Sequence, residues 1–77
     1  MEINILAFGQ IADITGKAEL KISNVKNTDE LIKKLAETFP ALPSIKFSIA
    51  VNHKVMQTNT ELNDKDTVAL LPPFSGG

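Results

Sequence analysis

The chain has 77 residues, which is enough for one domain with one modest hydrophobic core. Hydrophobic residues make up 43% and charged residues 22%, as in an ordinary globular protein, and the formal net charge is −1. The lysines are scattered and arginine is absent, so the clustered basic surface that nucleic-acid binding requires is not expected. Cysteine is also absent, which excludes disulfides, thiolate metal ligands and a cysteine nucleophile.

The sequence also carries signals about location. Residues 1–4 lack the basic region and the apolar stretch of a signal peptide. No apolar run approaches the length of a membrane-spanning helix. Together with the absence of cysteine, these features predict a cytoplasmic protein that has no membrane partner.

The first third of the sequence predicts two strands joined by a helical turn. Residues 3–8 form a short apolar run and predict a buried strand. Gln10–Thr15 has isoleucines at helical spacing and is followed by Gly16, which predicts one helical turn with a glycine C-cap. Residues 18–23 alternate between polar and apolar, so they predict a second strand that forms a hairpin with the first.

The strongest helix signal follows. Asn27 or Thr28 can cap the N-terminus, and the two acidic residues that come next lie where the helix dipole favours negative charge. The apolar residues then recur at helical spacing in one stripe, which consists of Leu31, Ile32, Leu35, Ala36 and Phe39. Pro40 cannot continue the helix, so the helix is predicted to end before it.

The rest of the sequence predicts a second hairpin and a last strand. Residues 46–52 alternate, and Asn52 tolerates the positive φ of the tight turn that follows. Val55 and Met56 would form a short return strand, and Leu62 would be a lone core residue in the next loop. Thr67–Leu71 is almost continuously apolar, which favours a central position in the sheet.

The element order ββαββ predicts an α+β fold, in which one main helix packs across one face of a mixed sheet. We divide the chain into a domain over residues 1–71 and an extended C-terminal tail over residues 72–77. Two prolines favour an extended path at the base of this tail, and six extended residues reach roughly 20 Å. Frayed ends are common, but average glycine usage makes a chance C-terminal Gly-Gly a roughly 0.5% event.

The chemistry is predicted to occur at the carboxylate of Gly77. A free carboxylate is a poor acyl donor, so it must first be activated, for example by adenylation, which creates a mixed anhydride. A sulfur nucleophile can then displace AMP and leave a thiocarboxylate. The chain has neither a phosphate-binding glycine loop nor a cysteine. A partner must therefore use ATP for activation, and no bound cofactor, metal or catalytic site of its own is expected here.

Three stretches resemble the small, sulfur-carrier subunit of molybdopterin synthase, namely residues 5–16, 50–55 and 62–77. The last is the most specific, because Pro-Pro, an apolar residue, a small hydroxyl residue and Gly-Gly occur together at the C-terminus. Gly-Gly alone is shared with ubiquitin and with thiamine sulfur carriers. The family often has Arg-Glu at the positions of Ala12 and Asp13, and glycine at the position of Lys65.

This resemblance implies the ubiquitin-like β-grasp fold. It also implies that an adenylating enzyme of the ubiquitin-activating type acts on Gly77 and that a sulfurtransferase supplies the sulfur. The tail would then insert into the large synthase subunit and donate sulfur to cyclic pyranopterin monophosphate, in a heterotetramer of two large and two small subunits. The partner-binding residues that it implies are Pro72, Pro73, Phe74, Ser75 and Gly76.

Other polar residues have simpler interpretations. His53 is the only histidine, and a hairpin tip is a more ordinary setting for it than a catalytic site. Asp64 and Asp66 are typical of a turn. An exposed apolar patch on the free face of the sheet is expected for docking to the large subunit, with Phe8 and Phe74 as candidates.

Three alternatives remain open at this point. A ubiquitin-like protein modifier would share the adenylation step but would end in an isopeptide bond to a target lysine. A thiamine-pathway sulfur carrier would use the same chemistry with a different acceptor. A plain interaction module would carry a tail without chemistry.

Overall fold

The computed structural model describes residues 2–72, which form five strands and two helices. The elements in chain order are β1 (Glu2–Ala7), α1 (Gln10–Thr15), β2 (Glu19–Ser23), α2 (Thr28–Thr38), a 3₁₀ turn (Leu42–Ser44), β3 (Ser48–Val51), β4 (Lys54–Met56) and β5 (Thr67–Leu71). Every predicted element is present, with ends that differ by one or two residues.

All five strands form one sheet in the order β2-β1-β5-β3-β4. β5 therefore occupies the centre, as its apolar sequence predicts. β1 and β5 run parallel, with Ile5 opposite Val68, and the other neighbouring strands are antiparallel. The predicted fold class, a mixed sheet with one main helix across one face, is confirmed.

The core lies between this sheet and the two helices. Because side chains alternate along a strand, β1 and β5 each direct every second residue towards the helices. The fully buried side chains are Ile3, Ile5, Ile11, Leu31, Leu35, Leu42, Leu70, Val25 and Val68. Leu62 is 3% exposed and confirms the predicted core residue in the loop before β5. Burial of one such side chain contributes about 1.5–3 kcal/mol.

The N-terminus of α2 is capped by Asn27. Its side-chain oxygen accepts a hydrogen bond of 2.9 Å from the backbone N–H of Glu30, and the Glu30 carboxylate accepts one of 2.9 Å from the N–H of Lys26. The first bond satisfies one of the N–H groups that a helix start leaves without an intrahelical partner, and the second ties Glu30 to the residue just before the cap. Thr28, the other predicted cap, instead accepts a hydrogen bond from the N–H of Thr60 and ties α2 to the following loop.

Positive φ angles occur at predicted turn positions and also at positions that the sequence analysis did not predict, among them Asn24. Gly16 ends α1 with φ 76°. Asn52 and His53 both have positive φ, 49° and 74°, as a two-residue type I′ hairpin turn requires. Lys65 also has a positive φ, 67°, so this turn carries backbone strain.

Among residues 2–72, no helix has the length and apolar character needed to cross a membrane.

Candidate functional site

Of the six tail residues predicted to act, Pro72 is described by the structure. Pro73, Phe74, Ser75, Gly76 and Gly77 lie outside the described residues. Their roles as partner-binding residues and as the reactive terminus therefore stay predictions. The surface from which the tail departs is described, and it has two distinctive parts.

The first part is the base of the tail, which lies against the loop between β1 and α1. β1 and β5 are parallel, and Ala7 lies opposite Leu70. Two residues beyond these positions, Gly9 lies beside Pro72. A Cβ atom at Gly9 would lie 3.4 Å from Cγ and 3.9 Å from Cβ of the proline ring. The ring of the half-buried Pro72 is therefore at ordinary van der Waals distance from the position that a side chain at Gly9 would occupy.

The second part is an apolar row on the sheet face opposite the helices. The strand register places Leu6 beside Ala69, Ala69 beside Ala50, and Ala50 beside Val55. The row thus crosses β1, β5, β3 and β4 in turn. Two alanines at its centre leave a shallow depression of about 310 Å³ between larger side chains. We call this surface the open sheet face.

Two further apolar side chains extend the open sheet face towards the tail. Phe8 follows β1 and is 46% exposed, and Leu71 is the last residue of β5. Val55, at the other end of the row, is 58% exposed. Large side chains exposed together around one depression are unusual on a free monomer and are typical of a protein-binding surface. Phe8, a predicted docking candidate, does lie on this surface.

The border of the open sheet face that lies farthest from the tail is polar. It is formed by the tip of the β3–β4 hairpin, which is hydrogen-bonded to the turn before β5. The amide of Asn52 donates to the carboxylate of Asp66 and accepts from the N–H of Thr67, at 2.9 and 3.0 Å. These bonds fix the hairpin tip, so His53 lines the depression together with Thr67. His53 is an exposed tip residue, in agreement with the simpler interpretation of the sequence.

The two aspartates of this turn accept hydrogen bonds from backbone N–H groups. Asp64 accepts a 2.7 Å hydrogen bond from the N–H of Glu2, and Asp66 accepts one of 2.8 Å from the N–H of Asn63. The bond between residues 63 and 66 is typical of a carboxylate that stabilises a turn, whereas the bond of Asp64 ties this turn to the start of β1. Within residues 2–72 there is no cluster of three or more histidine or carboxylate side chains that could hold a metal ion.

Sequence reasoning anticipated an apolar docking face but found only one of its described members. The missing residues are Leu6, Ala50, Val55, Ala69 and Leu71. A signal was present, because β5 is apolar at all but its first position and therefore on both of its faces. A half-covered strand is expected to alternate, so an apolar outward face indicates a second contact. The sequence also offered no reason to place Gly9 beside Pro72.

These features define a ubiquitin-like β-grasp protein, whose central last strand ends beside an exposed apolar surface. The ThiS family model matches residues 5–77, and the chain belongs to the ThiS family. The resemblance to the molybdopterin synthase carrier subunit that the sequence showed is confirmed by curated relatives with that name. One from Caenorhabditis elegans is 32% identical over 83 residues, covering 100% of this chain and 99% of its own length.

Two solved structures are also similar. One is a chain from a complex of subunits 1 and 2 of the molybdopterin-converting factor from Helicobacter pylori. Its identity to this chain is 29% and its TM-score is 0.76, and the match covers 100% of this chain and 100% of that chain. The other is the small archaeal modifier protein 1 from Methanosarcina acetivorans, with 24% identity, a TM-score of 0.85 and coverage of 99% and 96%. At that identity the second likeness shows the fold alone.

Proposed function

We propose that this protein is a sulfur carrier in the synthesis of molybdopterin. The observation that carries the proposal is that its similarity to the family extends through the C-terminal residues to Gly77. Curated relatives that are similar over their whole length are named molybdopterin synthase sulfur carrier subunits. The Pro-Pro-Phe-Ser lead-in to Gly-Gly supports this acceptor over a thiamine pathway.

The proposed chemistry takes place at Gly77. A carboxylate oxygen attacks the α-phosphorus of ATP in an activating partner, pyrophosphate leaves, and an acyl adenylate forms. A sulfide equivalent from a sulfurtransferase then attacks the acyl carbon and displaces AMP, which leaves a thiocarboxylate. This chain supplies the acyl group and the means of presenting it. The ATP site, the sulfur source and the acceptor site belong to partners, so no cofactor bound to this chain is needed.

Docking to the large subunit is proposed to use the open sheet face. The Helicobacter pylori structure is a complex of subunits 1 and 2 of the molybdopterin-converting factor, and one of its chains is similar to this chain. Here Phe8 and Val55 offer exposed apolar area on either side of the alanine-lined depression. Removal of such area from water favours association by about 25 cal/mol per Å², before the entropic costs of forming the complex. Because Leu71 belongs to both this surface and the end of β5, docking there would bring the start of the tail to the partner.

The central test is the intact mass of the protein after incubation with an activating enzyme, ATP and a sulfur source. The expected result is a gain equal to the exchange of one oxygen for one sulfur. Variants that lack Gly77, or that carry a C-terminal amide, should fold equally well and show no gain. An unchanged mass for the natural chain, with an enzyme active on its own carrier, would contradict the proposal for that partner.

The thiocarboxylate form of the protein also distinguishes the proposed function from the alternative functions. Incubation of the thiocarboxylate form with the large subunit and cyclic pyranopterin monophosphate should return the original mass as sulfur is transferred. A thiamine-pathway carrier would keep its sulfur in this assay. A protein modifier would instead form conjugates that persist on a denaturing gel. The cytoplasmic location, the heterotetramer and the identity of the sulfurtransferase stay predictions, to be tested by fractionation, by mass of the complex and by reconstitution.

A further inference from the structure

The centre of the open sheet face consists of two alanines, Ala50 and Ala69, which the register of β3 and β5 places opposite each other. Ala50 is only 6% exposed, although it does not belong to the hydrophobic core, which its neighbours Ile49 and Val51 join on the other face of the sheet. Larger side chains on its own face must therefore shield it. The two alanines lie at the bottom of a depression rather than on a flat surface.

A pair of alanines contributes less to a sheet than most other pairs do. Strands favour β-branched and aromatic residues, and cross-strand pairs of such residues stabilise a sheet more than an alanine pair does. The two ends of the same row carry larger side chains, with Leu6 beside Ala69 and Val55 beside Ala50. The alanine pair thus forgoes packing within the sheet and leaves about 310 Å³ of space above it.

The walls of the depression determine what can fill this space. Apart from the alanines, its apolar lining residues are Leu6, Phe8, Val55 and Leu71, and its polar ones are His53 and Thr67. These described lining residues include no lysine, aspartate or glutamate, so a charged group placed there would lose hydration without gaining an ionic partner. The volume is at the lower end of the range of about 300–1,000 Å³ for ligand pockets. It therefore fits one large apolar side chain better than a longer segment.

We propose that Ala50 and Ala69 are specificity-determining residues, whose small size admits one bulky apolar side chain, aromatic or branched aliphatic, from the large synthase subunit. The inference rests on the proposed function and adds the chemistry of the partner group to the docking surface. An apolar anchor that fills a pocket at the centre of an interface commonly carries a large share of the binding energy. Phe8 and Val55 flank the inserted group and shield it from water.

A series of side-chain sizes at residue 69 distinguishes this insertion from docking through apolar area alone. If apolar area alone mattered, a larger apolar side chain at this position would tighten binding. If the depression receives a side chain, a larger residue fills it and weakens binding, as overpacking does in a core. Ala69 points away from the core, so Ala69→Val and Ala69→Leu should leave the melting temperature equal or higher.

The experiment is titration calorimetry of the folded full-length variants into the large subunit. Ala69→Leu is expected to raise the Kd by about tenfold or more, Ala69→Val by a smaller factor, and Ala69→Gly by less than about threefold. Ala36→Leu is the matched control, because it makes the same change on α2, which packs on the opposite face of the sheet. Its Kd should stay within about twofold of the natural value. Ala50→Leu replaces Ala69→Leu should the latter fail to fold.

The possible outcomes separate this inference from the proposed function. A Kd for folded Ala69→Leu equal to or below that of the natural protein would overturn the inference, and so would an equal loss of affinity for Ala36→Leu. In both cases the natural chain still binds the large subunit, so the proposed function stands. A large subunit that does not bind the natural chain at all would instead contradict the proposed function.

Discussion

Replacement of Phe8 by alanine is the sharpest test of the open sheet face as the docking surface. Phe8 is 46% exposed in the free protein. A phenylalanine buries about 150–250 Å² in all, so roughly 100 Å² of this side chain remains to be covered by a partner. At about 25 cal/mol per Å², that area contributes about 2.5 kcal/mol to binding. The alanine side chain in Phe8→Ala keeps a small part of this contribution. The expected loss of about 2 kcal/mol corresponds to a Kd about 30-fold higher.

The assay is titration calorimetry of the folded carrier into the large subunit. Lys33→Ala is the control, because Lys33 is exposed on α2, on the opposite side of the sheet from the open face. We expect its Kd to lie within about twofold of the natural protein. The melting temperature of Phe8→Ala should change little, since the side chain is already half in water. A Kd for Phe8→Ala that matches the Lys33→Ala control would refute the assignment of this surface.

Three other predictions concern the tail, a turn and a cap. Phe74→Ala should weaken the same complex, again by calorimetry, and unchanged binding would reject its role as an apolar anchor. Lys65→Gly should stabilise the domain by about 0.5–1 kcal/mol, because glycine relieves the positive φ of this turn; Lys65→Ala, which keeps the strain, should show no such gain in denaturant midpoint. Asn27→Ala should cost about 0.5–2 kcal/mol of unfolding free energy through loss of the α2 cap; a melting temperature equal to that of the natural protein would mean that the cap contributes nothing.

The parts of the fold that sequence reasoning predicted are those determined locally. The stripe that includes Leu31 and Leu35, the glycine after α1 and the turn at Asn52 each depend on a few neighbouring residues. The central position of β5 followed from its apolar character. In each of these cases the local preference and the tertiary structure agree, which is what a well-specified sequence should show.

The parts that escaped prediction depend on residues far apart in the sequence. Ala50 and Ala69 are unremarkable in their own strands and become the centre of a depression only through the register of β3 and β5. Gly9 directly follows the strand predicted over residues 3–8, but its position near Pro72 arises from the parallel pairing of β1 and β5. Periodicity gives the faces of a strand without giving its neighbours. The apolar outward face of β5 could therefore be predicted from the sequence, but the depression and the approach of Gly9 to Pro72 could not.

The parallel pairing of β1 with β5 has a mechanical consequence. A pull on the tail, such as withdrawal from a tight channel, acts along β5. The hydrogen bonds of β5 to β1 and β3 lie across the direction of this force, so they resist together in shear. Peeling, in which bonds break one after another, would require a load at the edge of the sheet. Because β5 lies in the middle of the sheet, the strand that leads into the tail is held on both sides while such a pull acts on it.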